Sequence, residues 1–469
     1  MKTKRILFLT IVLVLAMSAV SVEAASTSTA VNQPWTTGVV KAGVTNISNL
    51  STAFVGANEI PMLSYAVTTT PKVTKIYQAH LATSVMPGNC GPSNTWFCTD
   101  WNAGASFYPG TLSNMATERY GATTFGLKWA YQNGAYIRGT TNERYNDMSL
   151  VGAYNSEDLI QLSKFGGGLA GAPSLVMDGG HFQMAAIIQS GGDFPTLKLV
   201  YMHYTGNTPK TSCIDTGTVY QCDVIEEAIG YGSISSPSLQ VAPDGTVGIA
   251  YYYGRAVKYA YPHTDSVPWP SNCGPGGNTW RCISIFSGTP TGTVGPVVKF
   301  AFGATGSNRG IAFTYDDTLI EKTLYNATYV GSGGNCGADF TSLGATVSKW
   351  RCTDVVIVAA ATYTPSFSIA VDPQGYSVMS YDIAPEEFSP VFLYITYPNA
   401  RTGSAAPGWT AQKIDGAPVT EVSTGALAAL SFNSAGIGFM GYLQATDYGP
   451  TDLRFALQHF QIALPLVLH

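Results

Sequence analysis

The sequence predicts an all-β fold, a seven-bladed β-propeller of four-stranded antiparallel blades, closed by the N-terminal strand completing the last blade. Three observations lead there. One block design recurs along the chain, with equivalent residues 56 to 66 positions apart. All eight cysteines fall into four near-neighbour pairs, each at the same place in its block. The count of strands then comes out one short, and a matching segment lies at the opposite end of the chain.

The block is clearest from Ser236, "SPSLQVAPDGTVGIAYYYGRAVKYAYP", followed by a cysteine loop and "WRCISIF". "PSLQV" reads as a short buried strand, A. "PDG" is a tight turn whose Gly245 can take positive φ. "TVGIAYYY" and "AVKYAYP" are β-branched and aromatic, the composition of strands B and C, and "WRCISIF" alternates as strand D. "TPSFSIAVDPQGYSVMSYDIA" from Thr364 repeats A and B, and "VFLYITYPN" repeats C.

Strand B ends on Tyr65, Tyr131, Ile187, Tyr251, Tyr315, Tyr381 and Tyr442. An aromatic residue opens strand D at Trp96, Tyr145, Tyr220, Trp280, Trp350 and Trp409, which is one fewer. "PWTTGVVKAGV" from Pro34 matches "GWTAQKIDGA" from Gly408, so the N-terminal strand is expected to supply the missing D. Such closure removes two open sheet edges, which otherwise invite aggregation. Four-stranded units repeated radially make a propeller. The second repeat is the weakest, with no clear strand A and the insertion "GAYNSEDLIQLSKFGGGLAGA" after its expected D. Six blades plus an insertion is the alternative.

The first 24 residues carry Lys2, Lys4 and Arg5, then an apolar run, then the small-residue boundary Val22-Glu23-Ala24. That layout is a secretory signal, cleaved after Ala24. Its apolar run is shorter than the roughly 20 residues a spanning helix needs. The expected domains are therefore a signal peptide, 1–24, and one propeller, 34–464, in a secreted or cell-surface protein without a membrane span in the mature chain. Formal net charge is −5, and losing the signal removes more basic than acidic residues. An acidic protein makes a poor nucleic-acid partner. Only 11% of residues are charged, against about 25% in ordinary soluble domains.

Each cysteine pair spans a turn between strands C and D: Cys90 with Cys98, Cys213 with Cys222, Cys273 with Cys282, Cys336 with Cys352. Facing positions of an antiparallel pair lie within disulfide reach, so four staples across the C and D hairpins are expected. Zinc sites want closer C-x₂₋₄-C spacing and nearby histidines, and the six histidines are scattered. A C-x-x-C redox motif is absent. Neither metal nor cofactor is expected. "GGGLAG" at Gly166 matches a dinucleotide loop in form, but Pro173 and a β-type run follow where a helix is needed.

In this reading the B–C and D–A loops share one face of the ring. There the sequence gathers carboxylates: Asp316, Asp317, Asp382, Glu386 and Glu387, with Arg255 in the equivalent loop of blade four. Tyr315 and Tyr381 end the adjoining strands. A polar pocket rimmed by aromatics suits a sugar or a cation. Charged loops that merely face solvent are the plainer reading of the same residues.

The pattern Pro-Ser-apolar-x-Val-x-x-Asp-Gly-x-x-x-Ile-Ala-Tyr, followed by Lys-Tyr-Ala, resembles the repeat of sialidase-like (BNR-type) β-propellers. It is clearest from Ser236 to Tyr261 and from Thr364 to Asn399. The resemblance implies the propeller fold. In a sialidase it would also imply three arginines clamping a substrate carboxylate, one of them in the first blade. No arginine lies between Arg5 and Arg119, and the Ser-x-Asp-x-Gly-x-Thr-Trp box is missing. A non-catalytic member that binds a carbohydrate or an extracellular protein is therefore expected. A glycoside hydrolase or lyase using Asp316, Asp382 and Glu386, and a structural envelope component, are the alternatives.

Overall fold

The computed structural model describes residues 34–458, apart from 102–111, 230–236, 264–271, 288–296, 361–365, 384–390, 400–407, 418–426, 445–450 and several shorter stretches. The expected signal peptide lies outside the described residues. Seven antiparallel sheets follow one another along the chain, each a meander in the order A-B-C-D. In blade 4, for example, the strands are Ser238–Val241, Val247–Tyr253, Ala256–Pro262 and Trp280–Ser287. All seven residues expected at the ends of strand B are at least 94% buried, although each strand runs one to five residues further. They form the packing between neighbouring blades, which is why aromatics recur there.

The ring closes as the strand count requires. Trp35–Val44 pairs antiparallel with Thr451–Gln458 and becomes strand D of blade 7, with Trp35 opposite Gln458. Val40 on this strand is fully buried. The "PDG" turn also forms as expected: Gly245 takes φ 82° and Asp244 accepts the Thr246 N–H at 2.9 Å.

Blade 2 differs from expectation. Tyr145 does not open strand D but ends strand C, Tyr136–Tyr145. Strand D is Asn155–Gln161, inside the stretch read as an insertion. Strand A is Ala116–Tyr120. Six blades are excluded because this sheet has all four strands.

The four expected disulfides are present, with Cα–Cα distances between 5.1 and 6.0 Å. Their geometry corrects the expectation in one respect. The residues of strand C facing Cys98, Cys222, Cys282 and Cys352 are Ala79, Met202, Ala260 and Ala327. The first cysteine of each pair lies instead on the loop after strand C, which turns back along the outer edge of strand D. Cys90 bridges to Trp96 and Cys273 to Trp280 there. In blade 5 the returning loop is a short strand of its own, Cys336–Phe340.

This geometry explains the whole Asn-Cys-Gly…Trp-x-Cys motif. The Asn side chain acts as one more backbone unit against strand D. Asn272 donates to the Cys282 carbonyl at 2.8 Å and accepts its N–H at 2.8 Å. Asn89 and Asn335 do the same to Cys98 and Cys352. The glycine turns at positive φ, 86° at Gly274, where a Cβ would lie 2.7 Å from the Trp280 ring. The tryptophan reaches across to the preceding blade: Trp280 meets Tyr201 at 4.9 Å and Trp350 meets Tyr259 at 5.2 Å. The fourth pair has Ser212 and Ile214 in place of Asn and Gly, and there the Thr211 carbonyl takes the Cys222 N–H.

Candidate functional site: the central channel

Strand A of every blade faces the ring axis, so one of its edges has no partner strand. Its free N–H groups need acceptors. The Pro-Ser motif supplies them from the neighbouring blade. Ser174 Oγ accepts the Leu239 N–H at 2.9 Å, Ser238 the Phe300 N–H at 2.9 Å and Ser366 the Ala428 N–H at 2.9 Å. Ser51 accepts from Met115, and Asn114 exchanges two hydrogen bonds with Leu175. Glu59 accepts the Ser434 N–H at 3.0 Å and links blade 7 to blade 1. The wall of the channel is thus a girdle in which hydroxyl and amide side chains, held at fixed positions, are interspersed with apolar ones such as Phe54, Leu175 and Phe367.

The girdle encloses a channel of 1120 Å³ lined by the A strands of all seven blades. That exceeds the usual 300–1,000 Å³ of a small-molecule site. Among the described lining residues only Lys299 and Glu59 carry charge. Glu59 lies in the A–B turn of blade 1. Lys299 is the second residue of strand A in blade 5, Val298–Phe302, next to Phe300 and hence level with Ser238 of blade 4. Strand A starts at the face carrying the D–A and B–C loops, so the cation sits towards that mouth.

Lys299 is exposed to the water of the channel, on a wall crowded by the neighbouring inner strands. This crowding lowers its pKa from the ordinary lysine value, with no carboxylate acting against the shift. No described residue pairs with the ammonium. A cation with no carboxylate partner among the described residues can recruit an anion.

The residues expected from sequence fall in three groups. Tyr315 and Tyr381 are buried between blades; Tyr381 stacks on Tyr394 at 5.8 Å and Tyr315 meets Phe286 edge-on at 5.1 Å. Neither ring has a free face for a sugar, because blade packing covers both. Asp382 is 2% exposed, and its carboxylate accepts the Ser366 N–H at 2.6 Å. It holds the beginning of strand A in its own blade and is no open loop carboxylate. Arg255 is exposed at φ 66° in the B–C turn of blade 4. Asp317, Glu386 and Glu387 lie outside the described residues, as does the side chain of Asp316.

Lys299 was not singled out from the sequence, although "VVKFAF" carries a signal. It sets a charge in the middle of an inner strand of a charge-poor chain. Among the described residues no group of three His, Cys, Asp or Glu side chains is placed to hold a metal ion. No described helix is long and apolar enough to cross a membrane.

No protein-family model matches the chain, and no curated protein does. Solved structures match over most of its length at low similarity. A lectin of Aleuria aurantia, in complex with Fucα1-6GlcNAc, shares 12% identity at TM-score 0.38, covering 81% of this chain and 97% of that one. The polysaccharide lyase Uly1 shares 11% at TM-score 0.37, covering 93% and 94%. The core factor of S. cerevisiae shares 9% at TM-score 0.37, covering 93% of this chain and 62% of that one. The class defined by fold and channel is a disulfide-stapled seven-bladed β-propeller. The likenesses are too distant to bear on what it binds.

Proposed function

We propose that this chain is a secreted or cell-surface binding protein that takes a glycan at the loop face of the ring, without chemical turnover. The observation that carries this reading is the channel: 1120 Å³ of space lined by rigid inner strands, where Ser, Thr, Asn and Gln side chains are interspersed with apolar ones. Hydroxyl and amide groups at fixed positions match the alternating donors and acceptors of a sugar. Preorganisation of this kind reduces the ordering cost of binding. The four disulfides fit an oxidising compartment, and the signal-like first 24 residues fit export.

Asp316, Asp317, Glu386, Glu387 and Arg255 belong in this proposal as the rim around the mouth, on the B–C loops. The kinship with sialidase-like propellers is likewise part of it, resting on the repeat pattern alone. A protein ligand on the same face is the neighbouring reading, and low charge density at the channel wall favours the glycan. The test is a glycan array probed with the purified protein. Selective retention of a related set of glycans is the expected result. Uniform background, together with capture of an extracellular protein on the same face, would overturn the glycan reading.

A further inference from the structure

Lys299 has no ion-pair partner among the described residues. Its side chain is exposed to the channel's water, and the crowding of that wall lowers its pKa with no carboxylate acting against the shift. Structural charges elsewhere in this protein are treated differently. Asp339 holds both Arg281 and Lys349 at 3.0 Å, and Lys258 meets Glu226 at 2.6 Å. These cations are thus paired with carboxylates where they serve packing. Lys299 serves none: its side chain points into open channel rather than between blades.

The groups around it are suited to an anion. Ser366 and Ser368 accept backbone N–H groups through Oγ, which leaves each hydroxyl proton to donate. Gln240, half-buried on the neighbouring strand A, lines the same channel, and its amide has no hydrogen-bond partner among the described residues. The volume is far larger than one inorganic ion needs, and the remaining wall offers hydroxyls, amides and apolar surface.

We propose that the channel mouth at Lys299 is an anion subsite, taking the carboxylate of an acidic sugar while Gln240, Ser366 and Ser368 donate to its oxygens. This rests on the glycan-binding reading for the sugar, and adds the charge and the place.

The experiment is calorimetric titration of the purified protein with trigalacturonate and with its methyl ester, which keeps the hydroxyls and loses the charges. Wild-type protein should bind the acid at least about 10-fold more tightly than the ester, as expected for hydrogen bonds to a charged group. Lys299→Met should remove that preference, and Lys299→Arg should retain part of it. Thermal unfolding controls for folding: unliganded Lys299→Met should melt no lower than wild type, since the side chain is exposed to the channel and makes no ion pair among the described residues. Equal binding of acid and ester would overturn the subsite and leave the glycan reading standing. Acid binding that Lys299→Met leaves unchanged would place the anion elsewhere and also overturn it. Binding of an oligo-aspartate peptide through Lys299, with neither sugar bound, would overturn the sugar assignment. Retention of neutral glycans alone on the array would overturn the subsite only.

Discussion

His80 gives this propeller a defined weakness to acid. It lies on strand C of blade 1, fully buried, with Nδ1 hydrogen-bonded to the Leu81 carbonyl at 2.7 Å and its ring against Phe97 at 5.3 Å. Burial pushes its pKa from 6.5 down to about 4; the Leu81 carbonyl opposes this and the nearby Arg144 cation adds to it. Arg144, of blade 2, is itself buried, donating to Met148 O at 2.5 Å and Gln78 Oε1 at 3.1 Å. A folded-state pKa below the unfolded value means the unfolded chain binds the extra proton first. Stability is therefore intact above pH 6.5 and falls as pH drops towards 4. The gap between 6.5 and about 4, at about 1.4 kcal/mol per pH decade, amounts to roughly 3 kcal/mol. Urea unfolding without reductant, at pH 7.5 and pH 4, of wild type and His80→Gln isolates this contribution. The stability difference between the two proteins should move by about 3 kcal/mol in favour of the variant at pH 4. A difference that stays constant within about 0.5 kcal/mol would refute the buried neutral imidazole.

Deleting residues 34–44 should unfold the protein at far lower temperature than trimming a terminal tail does, because blade 7 loses its outer strand and Val40 its buried site; a thermal melt within a few degrees of wild type would contradict closure by this strand. Asn272→Ala should cost about 1–2 kcal/mol by orphaning the Cys282 N–H and carbonyl while the disulfide stays formed, as read by denaturant unfolding with non-reducing peptide mapping. Asp339→Asn should cost about 3 kcal/mol, since it strips Arg281 and Lys349 of their shared carboxylate and weakens the Tyr261 contact between blades 4 and 5; the same unfolding assay measures it.

Most of the architecture was legible because each blade solves the same packing problem with the same residue types. The strand B aromatics, the Pro-Ser start of strand A and the Asn-Cys-Gly loop each recur because each has one physical task, and the structure shows that task. Blade 2 hid its strand D because "NSEDLIQ" opens on three exposed polar residues and buries only the adjacent Leu159 and Ile160, so it shows no apolar alternation. The site was less legible for a different reason. Tyr315, Tyr381 and Asp382 lie at strand ends, and whether such residues turn outward to a pocket or inward between blades depends on packing that period alone does not encode. Lys299 is hard to read from sequence because a single charge between apolar residues looks the same on an inner strand as on an outer one.

The central claim is that ligand sits in the channel, against the inner strands. Hydrogen–deuterium exchange of the protein with and without trigalacturonate tests it most directly. The account predicts slowed exchange in peptides covering Ser238–Val241, Val298–Phe302 and Phe367–Val371, the strand A segments around Lys299. Protection confined to the outer C and D strands, with these three segments unchanged, would contradict it.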